Sequence, residues 1–183
     1  MPGYRSIVIS GPPSSGKTPL VNALASEHNL KKFSVGDTLR KEHAAECPNN
    51  ELTFDVWWRG LTLDQNRQIA LSTIPVFNKG GIVGDSRYTF FLDKEINLLV
   101  FLNAEIDIRA RRAMANPRYK GMKMSEIKTM LRQREEDEAS VGMKLFGKDY
   151  RDPSNYHLTL NTGLLTEREE VSIISAVLGD LRY

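Results

Sequence analysis

One stretch near the start of the chain decides its fold: Gly11-Pro12-Pro13-Ser14-Ser15-Gly16-Lys17-Thr18, which matches the phosphate-binding pattern G-x-x-x-x-G-K-[ST]. A β-branched run at 7–9 precedes it and a helical pattern at 20–25 follows it, which is the strand–loop–helix context that the motif requires. Its glycines let successive N–H groups turn toward an anion, and the helix N-terminus adds partial positive charge. We therefore predict that residues 11–18 bind nucleotide phosphates, with Lys17 on the β- and γ-phosphates and the Thr18 hydroxyl on Mg²⁺.

Outside this loop, size and composition describe an ordinary globular protein. The chain has 183 residues, 40% apolar and 26% charged, so one domain over 1–183 with a substantial core is expected. The 25 basic and 23 acidic residues leave a net charge of +2, which is no footprint of a nucleic-acid binder. No apolar run approaches the length of a membrane span. We expect neither nucleic acid nor a membrane as a partner.

Cysteine and histidine are too sparse for a disulfide framework or a metal site. Cys47 is the only cysteine, and the three histidines are scattered. The N-terminus also lacks the basic and apolar regions of a signal peptide. We expect a cytoplasmic protein, and we take it to be a monomer.

Short apolar runs alternate with longer helical patterns along the chain. Strands are predicted at 6–10, 32–35, 81–84, 97–102 and 157–161, and helices at about 16–28, 37–46, 63–78, 105–115, 125–145 and 166–181. This alternation predicts an α/β fold of the P-loop NTPase class, in which helices cover both faces of a five-stranded parallel sheet in three α/β/α layers. Ligands of such folds gather at the C-terminal ends of the strands.

The residues after the second and third predicted strands suit an anion and a metal ion. Ser34, Asp37 and Arg40 follow the second strand; Asp37 is a candidate helix N-cap, and Arg40 either faces water or holds a second anion. Asp85 and Arg87 follow the third strand. Asp85 is placed to hold Mg²⁺ as a Walker-B aspartate does, and Arg87 points to the same side and suits a phosphate. A buried Asp85–Arg87 ion pair without a ligand is the alternative.

A basic stretch between Arg109 and Lys123 follows the fourth predicted strand. Such a run is usually a solvated face, but here it lies at the open edge of the phosphate site. A mobile flap that closes over the nucleotide and excludes water is the functional interpretation. Arg134, on the next helix, is in position to point back into the flap. We interpret the acidic run 135–138 that follows as a solvated helix face rather than a metal site.

Taken together, these motifs resemble those of the nucleoside monophosphate kinases, most closely the short archaeal-type cytidylate kinases. The resemblance extends almost end to end and rests on the loop 11–18, Ser34-x-Gly36-Asp37-x-x-Arg40, Asp85-x-Arg87, Arg109-x-x-Arg112, Arg134-Glu135-Glu136 and Asn161-Thr162. It implies a small acceptor-binding helical insertion at about 37–79 and a short lid at about 114–125. It also implies ATP and Mg²⁺ as cofactors and a nucleoside monophosphate as the substrate, CMP or dCMP before others.

The resemblance further implies a role for individual residues. Arg40 and Arg87 are the expected ligands of the acceptor phosphate, Arg112 stacks on the adenine of ATP, and Arg134 is a lid arginine. The acceptor pocket then comprises Ser34, Asp37, Arg40, Asp85 and Arg87, the metal ligands are Thr18 and Asp85, and the catalytic set is Lys17, Arg40, Arg87 and Arg134. Transfer to a monophosphate needs no general base, because the acceptor oxygen is already ionised.

Some positions depart from the family pattern. Val141 and Met143 stand where the family often has arginines, and Asn116 stands where related kinases have a further lid arginine. Tyr88 stands where the bacterial branch has an aspartate for the cytosine amino group. Two alternatives therefore stay open: an adenylate kinase or another small-molecule P-loop kinase, and a nucleotide-binding module with little transferase activity.

Overall fold

The computed structural model describes residues 4–49 and 52–179, which form an α/β/α sandwich around one sheet. The strands are β1 (Ser6–Ser10), β2 (Lys31–Ser34), β3 (Ile82–Asp85), β4 (Asn97–Asn103) and β5 (Leu158–Asn161). They lie in the order β2-β3-β1-β4-β5, and every neighbouring pair is parallel. The predicted five-stranded parallel sheet is confirmed.

Seven α-helices are present in the described part of the chain. They are α1 (Lys17–Glu27), α2 (Val35–Glu46), α3 (Phe54–Arg59), α4 (Leu63–Asn78), α5 (Ile106–Met114), α6 (Met124–Phe146) and α7 (Glu167–Leu178). Six of them match the predicted helices, although the last residues of the predicted 166–181 helix lie outside the described residues. Helix α3 was not predicted, because six residues are too few to show a helical period. None of the described helices is long and apolar enough to cross a bilayer.

The central strands are buried on both faces, which explains their continuous apolar sequence. In β4, Leu98, Val100 and Leu102 pack in one core cluster with the helices α1 and α7. The intervening Leu99 and Phe101 pack in a second cluster with side chains of α4 and α6. This alternation follows from the period of two along a strand.

The strand register brings the C-terminal ends of three strands together. Asp85 pairs in register with Ile9 of β1 on one side and with Ser34 of β2 on the other. The phosphate-binding loop begins immediately after β1. The register therefore places Asp85 between this loop and Ser34, at the edge where parallel sheets bind ligands.

The start of α2 corrects one expectation. Ser34, rather than Asp37, caps the helix: its hydroxyl accepts a hydrogen bond from the backbone N–H of Asp37 at 3.1 Å, and the helix begins at Val35. A serine side chain is as good a cap as aspartate. The Asp37 carboxylate is consequently not used as a cap and instead pairs with Arg40.

The helices between β2 and β3 have a small apolar core of their own. Leu39, Cys47, Trp57 and Trp58 pack together there, apart from the clusters that cover the sheet. The indole N–H of Trp57 donates to the carboxylate of Glu46 at 2.8 Å. Such a separate core agrees with a helical insertion at 37–79, whose acceptor-binding role stays a prediction.

Candidate active site

The loop between β1 and α1 depends on backbone conformations that favour glycine. Gly11 and Gly16 have φ of 142° and 101°. A Cβ on Gly11 would lie 2.3 Å from the carbonyl oxygen of Leu102, which is far inside van der Waals contact. Glycine is therefore required there both for φ and for the close approach of β4. The two motif glycines shape the cradle of N–H groups.

Lys17 lies across this loop. Its ammonium donates to the carbonyl oxygens of Gly11 at 2.6 Å and Pro12 at 2.7 Å. The pKa of Lys17 is lowered to about 7, mainly because the ammonium is removed from solvent and secondly because the Arg87 guanidinium lies nearby. The negative charge of a bound phosphate would favour the protonated ammonium again.

Two arginines and a threonine hold the loop from the side of β4 and β5. The hydroxyl of Thr162 donates to the carbonyl of Ser15 at 2.8 Å. Arg112 donates to the same Ser15 carbonyl at 3.3 Å and to the Thr162 carbonyl at 2.7 Å. Arg109 is buried, donates to the Pro13 carbonyl at 3.5 Å and pairs with a glutamate of α6. The motif residues Arg109 and Thr162 thus help to fix the conformation of the loop through hydrogen bonds to its carbonyl groups.

One cleft of about 750 Å³ contains most of the predicted site. Its walls include Pro13, Ser14, Gly16, Lys17, Thr18, Ser34, Arg40, Asp85, Arg87, Arg112 and Arg134. Gly11, Pro12 and Ser15 are buried within the loop beneath it. Asp37 lines an adjoining cavity of about 260 Å³ that shares Thr18, Ser34 and Asp85 with the cleft. The donor loop and the arginines predicted to bind the acceptor therefore face the same space.

Glu138 lies between Arg87 and Arg134, and the prediction that it is solvent-exposed was wrong. Its side chain is only 1% exposed, whereas the run 135–138 was interpreted as a solvated face. The Glu138 carboxylate contacts the Nε of Arg87, and its other oxygen accepts from the Nε of Arg134 at 2.9 Å. The alternative of a buried Asp85–Arg87 ion pair is not formed, because Arg87 pairs with Glu138. Burial by itself raises the pKa of Glu138, but Arg87 and Arg134 outweigh it and lower the pKa.

The burial of Glu138 could have been predicted from the spacing of the other buried residues in α6. Ile127, Leu131 and Gly142 are buried along one side of this helix, and position 138 falls on the same stripe. Residues four and seven apart share a helix face. The neighbouring acidic residues concealed this pattern, because a run of four like charges resembles a surface.

Arg40 lies at the rim of the cleft rather than in its depth. Its side chain is 42% exposed, and its Nη2 lies 2.5 Å from the Asp37 carboxylate. The guanidinium of Arg134, in contrast, is mostly buried and lies 3.4 Å from the carboxylate of Asp55 in α3. The three arginines therefore line one side of the cleft, with Arg40 exposed at the rim and Arg87 and Arg134 largely buried.

Thr18 and Asp85 fit a magnesium ion that shares its ligands with phosphates. Both line the cleft and the adjoining cavity, and among the described residues Asp85 has no cationic partner within 4.0 Å. No group of three His, Cys, Asp or Glu that could hold a metal occurs in the described part of the chain. Mg²⁺ commonly takes only one or two protein oxygens and completes its shell with water and substrate phosphates. A hydroxyl and a carboxylate beside the loop match this chemistry.

The four residues that depart from the family pattern lie in different places, and of these only Asn116 lines the cleft. Met143 is 52% exposed and Val141 packs against the aromatic side of the core. Asn116 and Arg118 do line the cleft, so Arg118 is a further arginine that sequence reasoning did not assign. Tyr88 is buried, and its hydroxyl donates to the backbone carbonyl of Glu138 at 2.9 Å.

The fold and the cleft define a P-loop protein with three arginines lining the same cleft as its phosphate-binding loop. The chain belongs to the cytidylate kinase-like family, whose model matches residues 6–164. A cytidylate kinase of Methanosphaerula palustris is 32% identical over 85% of this chain and 87% of that protein. A cytidylate kinase of Sulfurisphaera tokodaii is 30% identical, covering 94% of both chains.

Solved structures support the fold. A shikimate kinase from Bacteroides thetaiotaomicron superimposes with a TM-score of 0.63 at 16% identity, covering 94% of this chain and 97% of the other. A gluconokinase from Sinorhizobium meliloti superimposes with a TM-score of 0.61 at 18% identity, covering 97% and 91%. At such low identity the likeness concerns the fold alone, which is that of small P-loop kinases.

Proposed function

We propose that this protein transfers the γ-phosphoryl group of ATP to a nucleoside monophosphate, with CMP and dCMP as the preferred acceptors. The observation that carries the proposal is the shared cleft, in which Arg40, Arg87 and Arg134 face the phosphate-binding loop. Two facing anion sites are what a reaction between two phosphorylated substrates needs. Membership of the cytidylate kinase-like family and the relatives named cytidylate kinases support cytosine as the acceptor base.

On the donor side, the loop 11–18 would bind the triphosphate through its N–H groups and Lys17. Arg112 would stack on the adenine, since hydrogen bonds to the carbonyls of Ser15 and Thr162 fix the position of its guanidinium at the edge of the loop. Mg²⁺, held by Thr18 and Asp85 together with phosphate oxygens, would neutralise charge that develops during transfer. Lys17 would supply the remaining positive charge near the transferred group.

On the acceptor side, Arg87 and Arg134 would hold the monophosphate, with Arg40 at its outer edge and Ser34 and Asp37 nearby. The acceptor oxygen needs no base, because a phosphate monoester has its second pKa near ~6. Catalysis then consists of positioning and charge neutralisation across a loose transition state.

We also propose that the insertion at 37–79 and the lid at 114–125 close the cleft around the acceptor. Contacts of the insertion support this: Phe54 has its ring centroid 5.5 Å from Arg118 of the lid, and Arg59 pairs at 2.8 Å with Asp137 of α6, the helix that follows the lid. We propose a monomer as the working unit. We propose the cytoplasm as its compartment.

The experiment is a substrate panel. Purified protein with Mg²⁺ and ATP is offered CMP, dCMP, UMP, AMP and GMP, and diphosphate formation is measured beside a Lys17→Ala control. We expect CMP and dCMP to be the fastest acceptors and the control to be inactive. A preference for AMP would favour an adenylate kinase, and ATP binding without any diphosphate product would favour a nucleotide-binding module.

A further inference from the structure

Helix α6 carries two glutamates that contact arginines of different parts of the cleft. Glu135 and Glu138 are three positions apart, so their side chains project from the same face of the helix. Their side chains are 20% and 1% exposed. Glu135 pairs with an arginine of α5 that contacts the phosphate-binding loop, whereas Glu138 pairs with two arginines that line the cleft.

The contact of Glu135 reaches the phosphate-binding loop through Arg109. The Nη2 atom of Arg109 lies 2.8 Å from the Glu135 carboxylate. Its Nε donates to the Ala104 carbonyl at 3.0 Å, and its Nη1 donates to the Pro13 carbonyl of the loop at 3.5 Å. Because a guanidinium is planar and rigid, fixing Nε and Nη2 also fixes the nitrogen that meets the loop.

Glu138 contacts its two arginines through their Nε atoms. One carboxylate oxygen contacts the Nε of Arg87, and the other accepts from the Nε of Arg134 at 2.9 Å. Both arginines line the cleft. Within the described residues, the two terminal nitrogens of Arg87 have neither an ion pair within 4.0 Å nor a hydrogen bond. The carboxylate therefore fixes the base of the Arg87 guanidinium and leaves its end available to an anion.

The helix that carries both glutamates is itself held in place along its length. Near its start, Ile127 and Leu131 pack in a core cluster with Ala110 of α5. Farther along, the Tyr88 hydroxyl donates to the backbone carbonyl of Glu138 at 2.9 Å, and Ala139 packs in the same cluster as Tyr88. The two glutamates therefore project from a fixed support.

We infer that Glu135 and Glu138 are positioning residues, one for each substrate. Glu135 holds the donor loop through Arg109, and Glu138 holds Arg87 and Arg134 at the spacing that binds the acceptor phosphate. Two guanidinium groups repel each other, and a carboxylate between them offsets this repulsion. The inference rests on the proposed function for the identity of the donor and the acceptor.

Removal of one charge at a time should change the KM of one substrate only. Glu138→Gln should raise the KM for CMP by about 30-fold and leave the KM for ATP within about threefold of wild type, because supporting residues of a site typically contribute effects of this size. Glu135→Gln should instead raise the KM for ATP by about tenfold and leave the KM for CMP within about threefold.

Glu136→Gln is the matched control, since its side chain is on the same helix but 66% exposed. It should change neither KM. A residue that only stabilises the fold would not change one KM alone, because partial unfolding lowers the number of active molecules and not the affinity of each. Urea unfolding confirms that each variant is folded under the assay conditions.

Two further measurements do not depend on the acceptor. Hydrogen exchange of the arginine Nε–H groups, followed by NMR, should become about tenfold faster for Arg87 and Arg134 in Glu138→Gln only, and for Arg109 in Glu135→Gln only. Calorimetric titration with ADP alone should show about tenfold weaker binding by Glu135→Gln and unchanged binding by Glu138→Gln. If a glutamine variant does not fold, the aspartate variant keeps the charge, shortens its reach by one methylene and should shift the same constant in the same direction.

The inference is overturned if either glutamine variant changes both KM values equally or neither of them. It is also overturned if Arg87 and Arg134 exchange as slowly in Glu138→Gln as in wild type, or if ADP binds Glu135→Gln as tightly as wild type. A wild-type protein that phosphorylates no monophosphate would refute the proposed function instead, and the exchange and ADP measurements would then decide the inference.

Discussion

Two buried glutamates, Glu170 in the wall of the cleft and Glu138 behind two arginines of that wall, differ in what surrounds them. Glu138, on the acceptor side, contacts Arg87 and Arg134, and its pKa is lowered. Glu170, on the donor side, has no ion-pair partner within 4.0 Å among the described residues, and its pKa is raised to about 7. Burial penalises the charged form of both, so the difference comes from the partners. A carboxylate can be kept ionised inside a protein only where cations are fixed beside it.

The proposed donor side and the proposed acceptor side of the cleft also differ in how they are built. The donor side is mainly backbone, a loop whose shape is set by glycines and by the carbonyls that Lys17 and Arg112 contact. The acceptor side is made of long side chains from α2, from the end of β3 and from α6. Guanidinium groups repel one another, and the Glu138 carboxylate between two of them keeps them close together. Mutations on the two sides should therefore have different consequences.

The largest expected effect is on catalysis, and it should differ between an arginine of the proposed acceptor side and one of the proposed donor side. Arg87→Ala should lower kcat/KM for CMP by about 1,000-fold, as loss of an arginine that stabilises transferring phosphate does. Arg112→Ala should mainly raise the KM for ATP, by about tenfold, since it removes stacking on the base and the hydrogen bonds that Arg112 donates to Ser15 and Thr162 of the donor side. Steady-state rates with each substrate varied in turn measure both constants. If both variants change the same constant to the same extent, the assignment of the two sides is wrong.

Loss of the buried counterion should be the next largest effect. Glu138→Gln leaves Arg87 and Arg134 without a fixed negative charge, so the free energy of unfolding should fall by about 3 kcal/mol at pH 7. Urea unfolding measures this, and Glu136→Gln on the exposed side of α6 is the control. The native pKa is lowered, so the contribution is full above the ordinary value of 4.5 and disappears as the pH falls through the native pKa. A gap between wild type and Glu138→Gln that does not narrow in acid would contradict this account.

The smallest effect has the opposite dependence on pH. The pKa of Glu170 is raised from 4.5 to about 7, so the native protein binds this proton more tightly than the unfolded chain. The stability that this proton provides is complete below pH 4.5 and is lost as the pH rises through 7. Glu170→Gln should therefore be more stable than wild type at pH 8, by on the order of 1 kcal/mol because solvent in the cleft screens the carboxylate.

Thermal unfolding of Glu170→Gln and wild type at pH 5 and pH 8 measures this difference. The advantage of the variant should be present at pH 8 and small at pH 5. An advantage that is equal at the two pH values would show that Glu170 does not titrate between them. The pair of glutamates would then no longer illustrate opposite electrostatic environments.

Most of the secondary structure could be predicted from local sequence. The loop 11–18, the five strands and six of the helices were predictable, because glycines with special φ, apolar runs and helical periods are properties of neighbouring residues. The placement of Ser34, Asp85 and Arg87 at one sheet edge followed from the rule for parallel strands. Helix α3 was missed because it is short, and the cap of α2 was misplaced by three residues because serine and aspartate serve equally well.

The sequence by itself determined the donor loop, since a motif of eight consecutive residues carries its own geometry. Only the tertiary structure decided the charge environment of the cleft. Glu138 and its acidic neighbours are alike in sequence, but only Glu138 is fully buried between Arg87, which follows β3, and Arg134 of its own helix. Glu170 is one of several glutamates at the start of α7, and only the tertiary packing of that helix buries it and leaves Glu167 exposed. The energy of a charge depends on partners and solvent in three dimensions, and those come from segments far apart along the chain.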